Sequence, residues 1–302
     1  MALEVSRISA TAAQLGESPL WDAERQRLYW VDGVARRVHA YEPARGDTRH
    51  WDVPSMVGSV ALVQGDALIV ALVDGIYQLD LGSGSLTSLF LPEPRDVRVR
   101  FNDGKVDRWG RFLCGTMGVY AEPLGQLFRI DAAGAHTVLA DGIRISNALC
   151  FSPDGRTMYF ADSLDRAIRA YRYGPGDKPD REPRMVIDTA PYHSGPDGAT
   201  VDCDGCLWVA LVQVGKIARF TPEGTLDRLI DAPTDLPSSV AFGGPDLSTL
   251  YVTSIKDSGS GRAVSRHPDG GFLFAIEGLG VTGLPEAQFR VQPNSFPTRT
   301  TS

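Results

Sequence analysis

The chain has 302 residues, 43% of them hydrophobic, enough to bury a large core, and its length fits either one large all-β domain or two smaller ones. Its 30 basic and 37 acidic residues give a formal charge of −7 with no run of Lys or Arg that could track phosphates, so nucleic acid is not an expected partner. The opening MALEVSRISATAAQLGES lacks the apolar stretch of a signal peptide, and no segment reaches the roughly 18 to 20 apolar residues that cross a bilayer, so no membrane partner and a cytoplasmic location are expected.

Along the chain, one short strand-forming word recurs: LYWVD at Leu28, LIVAL at Leu68, FLCGT at Phe112, MYFAD at Met158, LWVAL at Leu207 and LYVTS at Leu250. Turn residues precede most copies, as in Pro153-Asp154-Gly155 and Asp204-Gly205, and mark a hairpin into the word. A second alternating strand follows each copy: VHAY at Val38, IYQL at Ile76, LFRI at Leu127, IRAY at Ile168, IARF at Ile217 and LFAI at Leu273. No convincing amphipathic helix interrupts the series. A unit of roughly 40 to 50 residues with four antiparallel strands is a propeller blade. Six units predict an all-β, six-bladed β-propeller filling 1–302 as a single domain, with its core over about 15–284. A sandwich or jelly roll would not repeat one word six times. The tail 285–302 reads either as a frayed end or as a segment that closes the ring against the first blade.

Four cysteines, at 114, 150, 203 and 206, are too few and scattered for a disulfide framework. Cys203 and Cys206 straddle the Asp204-Gly205 turn with no second ligand pair after them, so they read as turn and core residues.

In a propeller the first strand of each blade lies innermost, and the starts of these strands meet at one mouth of the central channel. Stepping back ten or eleven positions from each word lands on Glu17, the pair Val57 and Gly58, Asn102, Asn147, Asp197 and Ser239. Taken singly, an Asp or Asn beside Gly is an ordinary turn former. The shared register across separate blades is what singles the set out. Two carboxylates and two carboxamides make an all-oxygen set suited to one divalent cation, and calcium, magnesium, manganese, iron(II) and zinc all stay open. Arg100, two residues before Asn102, either shares its face and points into the mouth or is an exposed charge of the basic stretch from Arg95; spacing leaves both readings standing. Three long connections reach the same end: Gly115 to Gln126 with Tyr120 and Glu122, Gly174 to Pro196 with Tyr192 and His193, and Ile255 to Gly271. Long loops over a mouth line or cover sites.

Four stretches, LGESPLWD around Glu17, RFNDGKVDRWGRFLCGTM from Arg100, ISNALCFSPDGRTMYFADS around Asn147 and GPDGATVDCDGCLWVA around Asp197, resemble the senescence marker protein, gluconolactonase and luciferin-regenerating enzyme family, the regucalcin-like lactonases. The likeness runs from Glu17 to about Leu284. It implies a six-bladed propeller in which Glu17, Asn147 and Asp197 hold the metal and Asp197 is the catalytic base. It also implies that Arg100 and Asn102 contact the substrate or the attacking water, and that an acidic residue of the third-blade loop, here Glu122, touches sugar hydroxyls. Asp103 follows Asn102 as in the family pattern. A role for Asp197 as ligand alone fits the sequence equally well.

The resemblance thus implies metal-dependent hydrolysis of a sugar-acid lactone to its aldonic acid, with a small sugar lactone as partner. A non-enzymatic propeller that binds calcium for regulation is the alternative, and retention of Arg100 and Asn102 beside the metal set favours the enzyme. A lactonase for organophosphates or acyl lactones would want a greasier mouth than these polar loops supply.

Overall fold

Each recurring word is a short, continuously buried run rich in apolar residues, and Asp side chains fasten the turns between strands. The Asp22, Asp107 and Asp202 carboxylates each accept backbone N–H groups from the turn they open, and Arg25, Arg111 and Arg219 pair with the same three residues. Those turns fold the chain into consecutive antiparallel hairpins. The computed structural model describes residues 3–176 and 178–290.

The result is the six-bladed propeller expected from the repeat. Blade 1 comprises Gly16–Asp22, Arg27–Asp32, Arg37–Glu42 and Asp47–Asp52, in that order from channel to rim. Blade 2 runs Val57–Val63, Ala67–Leu72, Ile76–Asp80 and Leu86–Phe90, and blade 3 Val99–Val106, Phe112–Gly118, Gly125–Ile130 and His136–Ile143. Blade 4 is Ser146–Phe151, Thr157–Asp162, Ala167–Arg172 and Met185–Asp188; blade 5 is Pro196–Val201, Leu207–Leu211, Lys216–Phe220 and Leu226–Asp231. Blade 6 takes three strands from the C-terminal side, Pro237–Gly243, Thr249–Ser254 and Phe274–Glu277, and its outermost strand, Glu4–Arg7, from the N-terminal side. The first strands of neighbouring blades pack against one another around the channel, blade 6 against blade 1 included.

Among the described residues there is no central core. Six apolar layers lie between successive blades instead, such as Leu20, Tyr29 and Val31 of blade 1 against Val60, Leu68 and Val70 of blade 2. Trp21, Leu28 and Trp30 meet Tyr251, Leu273 and Ala275 where blade 1 meets blade 6. Each large side chain buried this way contributes roughly 1.5 to 3 kcal/mol.

The ring is closed by the N-terminal strand, whereas the tail serves elsewhere. Gln288–Phe289 adds a parallel strand to the channel side of blade 2, not blade 1, and residues 291–302 lie outside the described residues. On the way the tail crosses the channel end opposite the candidate mouth. Gly283 bridges Asp202, Arg108 donates to the Pro285 carbonyl, and Lys105 pairs with Glu286 at 2.6 Å. Leu284 and Glu286 of the tail pack there against the ends of three inner strands, leaving about 10 Å³, close to the least that holds one water.

Two loop boundaries shift. Pairing continues to Gly118 and resumes at Gly125, so the third-blade loop is only 119–124. The connection read from Gly174 to Pro196 contains the rim strand Met185–Asp188, and its Tyr192 packs edge-on against Phe220 of blade 5. Cys203 is exposed and Cys206 buried, both unpaired. No helix among the described residues is long and apolar enough to cross a membrane.

Candidate active site

All six inner strands lose register with the next strand at the same height. The breaks fall between Glu17 and Leu20, Val57 and Ser59, Phe101 and Gly104, Asn147 and Cys150, Pro196 and Ala199, and Pro237 and Ser239. A bulge leaves a residue unpaired and re-aims its side chain. Glu17, Asn102, Asn147 and Asp197 stand at four of these breaks. Beside two of them, Ser18 and Ala148 sit at φ of 51° and 52°, a left-handed conformation uncommon for residues other than glycine and a local strain of the kind found at binding sites. At the other two breaks bulk is excluded. A Cβ on Gly58 would lie 2.6 Å from the Asn102 carbonyl oxygen, and Ser239 faces Gly198, whose Cβ would come within 2.0 Å of the Ser239 hydroxyl.

The side chains brought together line one cavity of about 460 Å³ at the channel mouth. A relay of hydrogen bonds orients them. Arg100 Nη1 donates to Asn102 Oδ1 at 2.7 Å; Asn102 Nδ2 donates to Asn147 Oδ1 at 3.1 Å and to the Ser146 carbonyl at 2.9 Å. Asn147 Nδ2 donates to Ser163 Oγ at 2.9 Å, and that hydroxyl donates to the Pro196 carbonyl at 2.7 Å. Because both amide nitrogens are committed, the Asn147 carboxamide oxygen is held toward Asn102 and keeps a second lone pair.

Glu17 and Asp197 supply the negative charge. Asp197 is 8% exposed and Asn147 6%. Burial raises the Glu17 carboxyl well above its ordinary value, and Asp197 and Asp103 push it further, with Arg100 opposing. Burial and Asp103 likewise raise Asp197, against the Gly198 N–H and Arg100. Asp103, pushed up to about 6 chiefly by burial, is pinned by accepting the Leu149 N–H at 2.9 Å. The Arg100 guanidinium is lowered by burial to about 10 and remains a cation at neutral pH. Among the described residues neither Glu17 nor Asp197 has an ion-pair partner within 4.0 Å.

Two crowded carboxylates without a direct ion-pair partner, beside an oriented carboxamide oxygen, are the donor chemistry that suits a hard divalent cation. Among the described residues no three His, Cys, Asp or Glu side chains form a metal cluster. A cation here would therefore depend on Asn147, and on water or substrate oxygens, as well as on the two carboxylates.

Five of the six site residues expected from sequence thus share the cavity: Glu17, Arg100, Asn102, Asn147 and Asp197. Arg100 takes the inward of its two possible orientations. Glu122 is not among the lining residues, and its carboxylate accepts the Tyr120 N–H at 2.9 Å within its own loop. Ser163, which holds Asn147, and the apolar wall of Leu15, Met56, Val73 and Met117 escaped the sequence reading, whereas Ile255 opens the long loop expected to reach the mouth. Over the cavity, Arg262 of the long blade 6 loop donates to the Tyr120 carbonyl of the blade 3 loop, so segments from opposite blades meet above the mouth.

The family description SMP-30/Gluconolactonase/LRE-like region matches residues 15–256. The chain is 37% identical over 279 residues, 91% of this chain and 94% of the other, to the 6-deoxy-6-sulfogluconolactonase of Pseudomonas putida. Among solved structures, a luciferin-regenerating enzyme superposes with TM-score 0.88 at 29% identity, covering 96% of this chain and 100% of that one. A calcium-binding protein, regucalcin, from Agrobacterium tumefaciens superposes with TM-score 0.85 at 28% identity, covering 94% and 97%.

Proposed function

The chain belongs to the SMP-30/gluconolactonase/LRE-like family, and from that membership we propose that it is a lactonase that opens the ring of a sugar-acid lactone. The observation that carries the reading is the meeting of Glu17, Asn147 and Asp197 with Arg100 and Asn102 in one cavity. An ion store needs oxygen ligands alone, whereas a guanidinium and a carboxamide beside them suit a polar substrate.

In this reading Glu17, Asn147 and Asp197 hold one divalent cation, which when bound supplies a Lewis acid that stabilises the oxyanion of lactone opening. The chain's own groups do the rest. Asp197, free of any ion pair, accepts the proton of the attacking water as its oxygen bonds to the carbonyl carbon. The ring C–O bond then breaks, and that proton passes to the departing ring oxygen, leaving a carboxylic acid and a hydroxyl. Arg100 places positive charge beside the developing oxyanion, and Asn102, fixed at Oδ1 and Nδ2, orients the substrate against it. Glu122, held in its loop by Tyr120, contacts a sugar hydroxyl only if that loop shifts. The wall of Leu15, Met56, Val73, Met117 and Ile255 makes the mouth greasier than the polar loops predict. What sets the sugar-lactone reading apart from the acyl-lactone and organophosphate one is therefore the polar floor of Glu17, Arg100, Asn102, Asn147 and Asp197 and not a polar mouth.

The test is a pH-indicator assay of lactone opening by metal-stripped protein over a panel of aldonolactones, a sulfonated one included, with calcium, magnesium, manganese, zinc or iron(II) added back. Hydrolysis restored by a metal supports the reading. Metal binding without turnover on any lactone overturns it in favour of a calcium-binding, non-enzymatic role.

A further inference from the structure

A second cavity, of about 490 Å³, opens between blades 2 and 3. At its inner end it is walled by Val73 and Arg100, which also wall the mouth cavity, so the two spaces adjoin there. From that shared wall it reaches the rim strands at Phe90 and His136. Each cavity alone falls within the roughly 300 to 1,000 Å³ that accommodates a drug-sized ligand, so one lactone ring leaves the second unused. The contact between Arg262 and Tyr120 covers the approach along the channel axis. The groove thus flanks the site laterally, on the other side of Val73 and Arg100.

Resting on the lactonase reading, we propose that this groove holds a second sugar ring carried on the far end of the lactone, so that the substrate class is a two-ring aldonolactone. The chemistry of the wall selects the occupant. The exposed His136 ring lies 4.5 Å from the Phe90 ring and offers an aromatic face to the apolar C–H side of a sugar. The Gln126 carboxamide and the Glu93 carboxylate line the groove and make no hydrogen bond or ion pair among the described residues. They supply the donors and acceptors that hydroxyls require. An acyl tail would cover those polar groups without pairing them, which is unfavourable. An anionic extension would meet Asp74, Glu93 and Asp96, which outnumber Arg95 and Arg100 along the wall.

Steady-state hydrolysis of glucono-1,5-lactone is compared with that of cellobiono-1,5-lactone, in the wild type and in Gln126→Ala and His136→Ala. The expected KM for the two-ring lactone is about five- to tenfold below that for the single ring. Each substitution is expected to remove that advantage while leaving single-ring kinetics and the melting temperature unchanged. Equal KM values in the wild type, refusal of the two-ring lactone, or an advantage that survives both substitutions would overturn the proposal while the lactonase reading stands. If neither lactone opens, the lactonase reading falls. Calorimetric binding of cellobionic acid then decides the groove: binding lost in both variants supports it, and absence of binding overturns it.

Discussion

Asp197 lies in a pocket of negative charge that only Arg100 and backbone N–H groups relieve, which gives its substitution two opposite consequences. In Asp197→Asn, kcat for lactone opening should fall by about a thousandfold. The metal-stripped variant should melt a few degrees higher than metal-stripped wild type, because one of two mutually repelling carboxylates is gone; calorimetry beside the activity assay checks both. Ser163 acts through Asn147. Ser163→Ala frees the carboxamide to rotate, so metal affinity, measured by titrating stripped protein, should drop about tenfold with activity recovered at higher metal concentration. His39, stacked on Trp30 with ring centroids 4.9 Å apart, is held down to about 4 by burial, with Asp32 pulling the other way. The unfolded chain takes up this proton below about pH 6.5 and the folded one resists until about 4, so stability falls across that window as pH drops, by no more than about 3 kcal/mol. In His39→Phe the fall in melting temperature between pH 7 and 5 should be shallower. Glu17, Asn102, Asn147 and Asp197 were legible in the sequence because each stands a fixed step before a repeated word. Ser163 was not, since its role depends on a hairpin that returns it to Asn147.

Strands were the most legible elements, since a recurring apolar word and turn chemistry agree in each repeat. Loops were less so. The rim strand Met185–Asp188 follows a stretch rich in Pro, Gly and Asp, and four residues give alternation too little length to show. The bulges were invisible too, because a register break depends on the partner strand as much as on its own residues; yet they turn the candidate side chains inward. The roof is an element-scale device: the 119–124 loop and the loop after Ser254 touch through Arg262 and the Tyr120 carbonyl. Arg262→Ala should loosen it, raising KM for lactone about two- to fivefold with kcat little changed. Faster cleavage of the blade 6 loop by a protease of broad specificity would accompany the change. Unaltered KM and cleavage would mean that the two loops do not act together.

The sixfold count could be read from the repeat, but the way the ring closes could not. Antiparallel pairing of Glu4–Arg7 with Phe274–Glu277 joins segments some 270 residues apart, and no local pattern in either announces the other. Because the core is divided into layers between blades, each layer depends on the ring staying shut. Removing residues 1–7 should therefore lower the melting temperature by about 10 °C or more and promote self-association through the bared edge strand, readable by calorimetry and light scattering. The tail crossing the opposite channel end has a different effect. With Gly283, Pro285 and Glu286 tied across it, the channel is a cup with a stopper in its base, so substrate and product share the mouth side. The acid formed by ring opening keeps the hydroxyls of its parent, so it obstructs the next molecule on its way out. Progress curves should bend early as product builds up, and added aldonate should compete with fresh lactone.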